Sequence, residues 1–376
     1  MKRKLSENVE VKEVLPKSFD DLIKEVHERD LCGECGGCVS FCSADEIKAI
    51  EMPESGPPRY VNEENCLHCG ICYLVCPQTH VLNEELNERY NFKIPIGNWK
   101  KISCARASSE AIQEKGTDGG VITSILTYLL DNKLINGALV AKKEGPFNRA
   151  PFFATSKEEL IEAAGSHFDL SKQVTGLKNY DTFIPTITTL KNVISPDLMN
   201  IAVVGTPCQI HSIRKMQELS ILPAHIVKYT LGVFCNLNFC FDGKAQKEME
   251  QKFNFSFKDI TGMNIREHVI LETEEEPILI DFKELKDFTR KACFGCSDFP
   301  NYYADISFGG LGSPQKYTTA IIRTKIGQRV YNSALREGYI KEDADLNTSL
   351  KKSEMLAKII SFSKRKSERG KRTRTP

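Results

Sequence analysis

The stretch Cys66-x-x-Cys69-x-x-Cys72-x-x-x-Cys76-Pro77 constrains this chain more than any other. Three thiols at two-residue intervals on one tight loop, then a fourth followed by proline, is the spacing that grips a [4Fe–4S] cluster, the fourth thiol reaching to a neighbouring one. The neighbour is present: Cys32-x-x-Cys35-x-x-Cys38-x-x-x-Cys42 repeats the pattern 34 residues earlier. A zinc site closes with four ligands and has no use for a third thiol at this interval, so paired zinc knuckles are the weaker reading. The expected wiring is crossed. Cys32, Cys35, Cys38 and Cys76 would hold one cluster, and Cys66, Cys69, Cys72 and Cys42 the other. Ser43 stands where proline usually follows the fourth cysteine, which loosens that turn and removes no ligand.

The 376 residues suit two or three domains with a sizeable core. No stretch approaches eighteen consecutive apolar residues, and no apolar run follows the basic N-terminal residues, so neither a membrane span nor a signal peptide is expected. Fourteen cysteines, mostly at metal-ligand spacing, point to a reducing cytoplasm. The net charge of +1 hides a local excess: Lys364, Arg365, Lys366, Arg369, Lys371, Arg372 and Arg374 face the single acid Glu368. That run reads as a solvated disordered tail. A contact to an acidic partner or an anionic lipid surface is the alternative, and nucleic acid is disfavoured because no aromatic platform is interleaved.

Punctuation along the chain divides it into an N-terminal arm (1–20), a small α+β cysteine domain (21–95), an α/β domain (96–350) and the basic tail (351–376). Between the cysteine loops, 47–52 and 59–62 flank Pro53-Glu-Ser-Gly-Pro-Pro58 and read as a hairpin. From residue 100 helices and strands alternate. Helices are expected at 121–130, 157–164 and 211–219, and strands at 138–142, 200–204 and 226–234, with paired strands at 264–284 and a strand then a helix at 318–338. No GxGxxG follows any of these strands, so a Rossmann dinucleotide site is not indicated.

Six cysteines remain. Cys293-Phe-Gly-Cys296 alone is open to zinc, redox-dithiol and structural readings. Cys208, in Gly205-Thr-Pro-Cys-Gln209, and Cys235, ending Leu231-Gly-Val-Phe-Cys235, sit at strand ends of the same domain and favour a third [4Fe–4S] cluster on Cys208, Cys235, Cys293 and Cys296. Cys240 substitutes if Cys235 points away, and Cys104 reads as an ordinary buried thiol.

Several segments, in order, resemble the coenzyme F420 hydrogenase/dehydrogenase beta-subunit family: Lys115-Gly-Thr-Asp-Gly-Gly-Val-Ile-Thr123, Ala164-Gly-Ser-His167, Gly205–Gln209, Cys293-x-x-Cys296-x-Asp298, Ala304-Asp-Ile-Ser-Phe-Gly-Gly310 and Ile322-Arg-Thr-Lys-Ile-Gly327. With the cysteine domain in front, the whole is similar to the F420H2 dehydrogenase input subunits of methanogen respiratory complexes. The resemblance implies a bacterial-type ferredoxin domain followed by an α/β domain binding FAD and a [4Fe–4S] cluster, with coenzyme F420 docking against the flavin. Reduced F420 would give a hydride to FAD, and three clusters would pass single electrons to other subunits of a redox complex, soluble or on the inner face of a membrane. A related flavin iron–sulfur reductase using ferredoxin, or a non-catalytic conduit, are the alternatives.

On this view Thr117, Asp118, Gly119, Gly120, Val121 and Thr123 form a glycine-rich entry to a helix N-terminus suited to the FAD pyrophosphate. Gly205, Thr206 and Pro207 lie at a strand end, the usual crevice for ligands in α/β sheets. Asp305, Gly309 and Gly310 suggest a loop approached by a cofactor, and Arg323 a phosphate or flavin contact. Gly165, Ser166 and His167 match a second flavin contact, although the family usually shows Lys-Tyr where this chain has His167-Phe168. Lys142, Lys143 and Lys316 are candidates to meet the acidic tail of F420.

Overall fold

The structure is a computed structural model and describes residues 16–42, 47–53, 56–143, 149–165, 200–221, 224–239, 243–265 and 268–374. In the N-terminal part, Ser18 caps the helix Phe19–Leu22, its amide donating to Asp21 at 2.7 Å. The chain continues through one π-turn, Ile23–His27, into the first cysteine loop. A hairpin of β1 (Ile50–Glu51) and β2 (Arg59–Tyr60) separates the two loops, where the proline-glycine punctuation places it. Phe19, Leu22, Val26, Val39, Ile50 and Tyr73 make a small core against the cysteines.

After residue 100 the chain builds a mixed eight-stranded sheet. Its first strands are β3 (Lys101–Ala107), β4 (Gly137–Lys143), β5 (Arg149–Ala154), β6 (Ile201–Gly205) and β7 (Val227–Val233). A separate antiparallel meander follows, made of β8 (Gly262–Ile265), β9 (Val269–Glu272) and β10 (Ile278–Ile280). The main sheet is completed by β11 (Ile306–Gly309), β12 (Thr318–Ile322) and β13 (Ile340–Glu342), giving the order β13-β3-β12-β11-β7-β6-β4-β5. The centre, β4-β6-β7-β11, is parallel and both flanks are antiparallel.

Alternation along the strands assigns the two faces. Ala138, Val140 and Ala202 pack with Val121, Ile125 and Leu129 of the helix Val121–Asp131 and with Tyr331 of Lys325–Arg336. Leu139, Ile201 and Val203 pack on the other side with Ile210, Ile213 and Met216 of Pro207–Glu218. Val75 and Leu86 belong to that second cluster, so the cysteine domain continues the core of the sheet domain. The join is polar as well: Ser212 donates to the Val75 carbonyl at 3.0 Å, and the fully buried Lys215 donates to the carbonyls of Cys76 at 2.7 Å and Thr79 at 2.9 Å.

Two boundaries differ from the sequence expectation. The helix expected at 211–219 begins four residues earlier, at Pro207, because proline suits the first helical turn and Thr206 caps it. The basic run at the C-terminus is not a solvated tail: Ser349–Arg374 is one long helix whose Met355 and Ile359 pack with Ile102, Cys104 and Phe299.

Candidate functional site

The tandem cysteine loops repeat in conformation as well as in sequence. Glu34 and His68 have φ of +49° and +47°, and Gly36 and Gly70 have +81° and +75°, each pair in register with the 34-residue offset. These left-handed residues between the thiols curl each loop so that its sulfurs converge. Cys38 feels most strongly the charges of Cys35, Cys32 and Cys76, whereas Cys42 feels Cys69 and Cys66. Cys42, Cys66, Cys69 and Cys72 line one small cavity between the loops. The chain thus brings Cys76 near Cys32, Cys35 and Cys38, and Cys42 near Cys66, Cys69 and Cys72. Burial pushes the thiols of Cys32 and Cys42 up to about 12 and that of Cys76 up as well. A bound metal reverses this, since a coordinated thiol is deprotonated outright. Among the described residues no three His, Cys, Asp or Glu side chains are gathered to hold a single metal ion.

A third quartet assembles from distant segments. Cys208 lies in the first turn of Pro207–Glu218, Cys235 just beyond β7, and Cys293 and Cys296 in the loop before β11. Cys208 feels Cys296 and Cys293, and Cys235 feels Cys293, Cys208 and Cys296, so the four share one site. The Thr206 hydroxyl lies 3.3 Å from Cys208 Sγ, and the Asn238 amide donates to Cys293 Sγ at 3.3 Å. Burial raises the Cys208 thiol to about 11 and the Cys235 thiol to about 12. This third quartet also approaches the first: a Cβ on Gly33 would sit 3.7 Å from Cys208 Sγ, and Cys35 feels Cys208. Cys240 lies outside the described residues. Cys104 sits fully buried in β3, away from all three quartets, with burial raising its thiol to about 12.

Beside the third quartet opens a cavity of about 890 Å³, within the range of small-molecule and cofactor sites. Thr117, Asp118, Gly120, Val121, Thr123, Gly165, Gly205, Thr206, Gly309 and Gly310 all line it, and so does Cys235. Gly120, at φ +67°, turns the chain into the helix Val121–Asp131, whose N-terminus opens on the cavity. Gly309 and Gly310 leave room that a side chain would take from Phe234 and Asp118. The meander adds Ile270, Leu279 and Phe282, and the C-terminal helix adds Lys358, Phe362 and Arg365.

Four expected contacts have other roles. Gly119 is absent from the lining; its amide donates to Thr318 Oγ1 at 3.0 Å, packing the turn on β12. Pro207 forms the buried first turn of its helix. Asp305 accepts from the Thr230 amide at 2.9 Å and pairs with Arg214 at 3.1 Å, inside the fold. Arg323 donates to Ser307 Oγ at 2.6 Å and to the carbonyls of Ile96, Asn98 and Pro300 at 2.8 Å each. Asp305 and Arg323 are therefore structural ties and do not line the cavity. Lys142 pairs with Glu162 at 3.0 Å, and neither it nor Lys316 lines the cavity. Ser166, His167 and the Lys143 side chain lie outside the described residues. The lining cations that the sequence left unassigned are Lys358 and Arg365.

Comparison with known proteins fits these features together. The family profile for the N-terminal part of the coenzyme F420 hydrogenase/dehydrogenase beta subunit matches residues 102–178, and the profile for its C-terminal part matches 198–346, together more than half of the chain. The chain belongs to this beta-subunit family. A 4Fe-4S binding domain matches residues 59–78. Among its relatives, a coenzyme F420-dependent sulfite reductase of Methanocaldococcus jannaschii is 28% identical over 347 residues, covering 88% of this chain and 50% of the relative. The chain thus spans half the length of that protein. A second relative, one of the F(420)H(2) dehydrogenase subunits of Methanosarcina mazei, is 25% identical over 336 residues, covering 85% and 87%. A chain of the F420-reducing [NiFe] hydrogenase complex from Methanosarcina barkeri superposes with a TM-score of 0.65 at 26% identity, over 75% of this chain and 93% of that one.

Proposed function

We propose that this chain oxidises reduced coenzyme F420, holding FAD in the large cavity and three [4Fe–4S] clusters on its three cysteine quartets, and delivers electrons one at a time to another subunit of a redox complex. The observation that carries this reading is that Cys235 belongs both to the cavity wall and to the third quartet. Bound there, a flavin supplies the conversion between paired and single electrons, and iron–sulfur cubes supply the single-electron steps.

What the chain's own residues contribute is positioning. The turn Gly116–Thr123 and the helix behind it present an N-terminus suited to a pyrophosphate. Leu126, Val140, Phe308 and Phe299 give the cavity an apolar lining that excludes water. Lys358 and Arg365 bring positive charge to the cavity, where an acidic coenzyme tail would be met. The quartets lie in series: the charge of Cys208 reaches Cys35 of the first N-terminal quartet, and that of Cys72, in the second, reaches Cys38. Among the described residues no helix is long and apolar enough to cross a membrane.

The test is anaerobic purification followed by iron and flavin analysis and turnover of reduced F420 with a dye acceptor. About twelve irons and one FAD per chain are expected, with bleaching of the flavin band by reduced F420. A colourless, zinc-containing chain would sink the reading. A flavin that bleaches with reduced ferredoxin and not with reduced F420 would replace it with the ferredoxin-using alternative.

A further inference from the structure

The helix Ser349–Arg374 begins after the family match ends at residue 346. Of its many cations, three turn inward onto the third quartet. Lys366 is 3% exposed and donates to the Cys235 carbonyl. Arg369 donates to the carbonyls of Asn236 at 3.0 Å and Cys293 at 3.4 Å. Arg374 donates to the Gly295 carbonyl at 2.7 Å and to the side chain of Gln78, two residues beyond Cys76. Residues 366, 369–370 and 373–374 share one face at helical spacing.

That face is built to come close. A Cβ on Gly370 would lie 3.0 Å from the Cys296 carbonyl oxygen and 3.1 Å from that of Gly295, so glycine lets the helix backbone rest on the cysteine loop. Ser363, one turn before Lys366, is fully buried. Arg369 responds to the charges of Cys296, Cys293 and Cys235, and Lys366 to the same three and to Asp298. In the second N-terminal quartet, Cys42 and Cys72 respond to the charges of their fellow cysteines.

We propose that this helix is a cationic strap whose Lys366, Arg369 and Arg374 raise the reduction midpoint of the cluster held by Cys208, Cys235, Cys293 and Cys296. The inference rests on the third-cluster reading given above. Accepting one electron adds one negative charge to a cluster and its thiolates, and fixed cations in a low-dielectric site favour that state. These residues position charge and take no part in bond making. Through Gln78 the same strap ties the third quartet's loop to the loop that carries Cys76.

The test uses the full chain, purified anaerobically with its clusters and reduced stepwise with dithionite under EPR. Lys366→Met and Arg369→Gln should each lower one cluster midpoint, so that at a fixed potential its ratio of reduced to oxidised form falls about tenfold or more, while the other two midpoints stay put. Lys366→Arg, which keeps the charge, should restore the wild-type midpoint. Should Lys366→Met fail to fold, Arg369→Gln at a half-buried position carries the same expectation. Unchanged midpoints in Arg369→Gln, with the cluster retained, would overturn the strap and leave the helix a packing element. A wild-type chain with about eight irons would instead overturn the third-cluster reading, and the strap with it.

Discussion

The two cysteine systems are assembled by opposite strategies. The N-terminal eight come from two short loops that carry their own left-handed turns and sit in one small core. The third quartet is drawn from a helix start, a strand end and a loop nearly ninety residues downstream, and exists only once the sheet has formed. A locally coded site survives changes elsewhere; a distributed one depends on the fold around it.

The sharpest way to separate them is Cys293→Ser. Iron should fall by about four of about twelve, with both N-terminal cluster signals and the bound flavin retained, as read by iron, flavin and EPR analysis. Loss of every cluster would erase the contrast. A smaller effect is expected at Gly120, where a side chain would meet Ile112 Cγ2 at 2.8 Å and its carbonyl oxygen at 3.0 Å on a left-handed backbone. Gly120→Val should weaken flavin retention by about tenfold, the size of a strain of about 1–3 kcal/mol, and leave the iron content intact.

Arg323 tests the structural side of the distributed system. Replacing it with Met removes the donor from the buried Ile96 and Pro300 carbonyls and the half-buried Asn98 carbonyl, while Ser307 keeps its bond to the Asn301 carbonyl, a cost of about 3 kcal/mol, to be read by denaturant unfolding. The folded fraction should keep its flavin; a selective loss of flavin would return Arg323 to the cofactor.

The smallest effect expected is a pH slope at the join of the two systems. Burial first, then Lys215 and Arg374, hold the His211 imidazole down at about 3, and its Nε2 lies 3.1 Å from Asn83 Oδ1. Because the folded value lies below the unfolded one near 6.5, this stability is present above pH 6.5 and is lost as pH falls toward 3. Between pH 7 and 5 the loss is about 2 kcal/mol. His211→Gln should flatten that part of the unfolding free-energy profile, and an unchanged slope would show that His211 is not its source.

The grouping of the N-terminal cysteines was legible because they are adjacent in sequence and the spacing itself states the geometry. The wall at Thr117, Asp118, Gly120, Val121 and Thr123 and the strand end at Gly205 were legible for a related reason, since glycines at a helix entry mark a close approach, although at Gly119 that approach is to β12. Asp305 and Arg323 misled because a charged residue beside glycines reads alike whether it meets a ligand or the fold's own carbonyls. The C-terminal helix misled most. Its buried stripe is Met355, Ile359, Ser363, Lys366 and Gly370, a helical period in which the last three members are polar or small. Hydrophobic periodicity cannot register a stripe whose burial is driven by charge and close backbone approach.

Cys69 is the exposed cysteine among those described, and Leu67 beside it is 73% exposed. A cluster held there, as proposed, would lie near the surface and be open to dioxygen, so on that reading the quartet containing Cys69 would be the first to be damaged in air. If the proposed electron path holds, an aerated chain would still take electrons into its inner quartets yet go silent toward whatever accepts them.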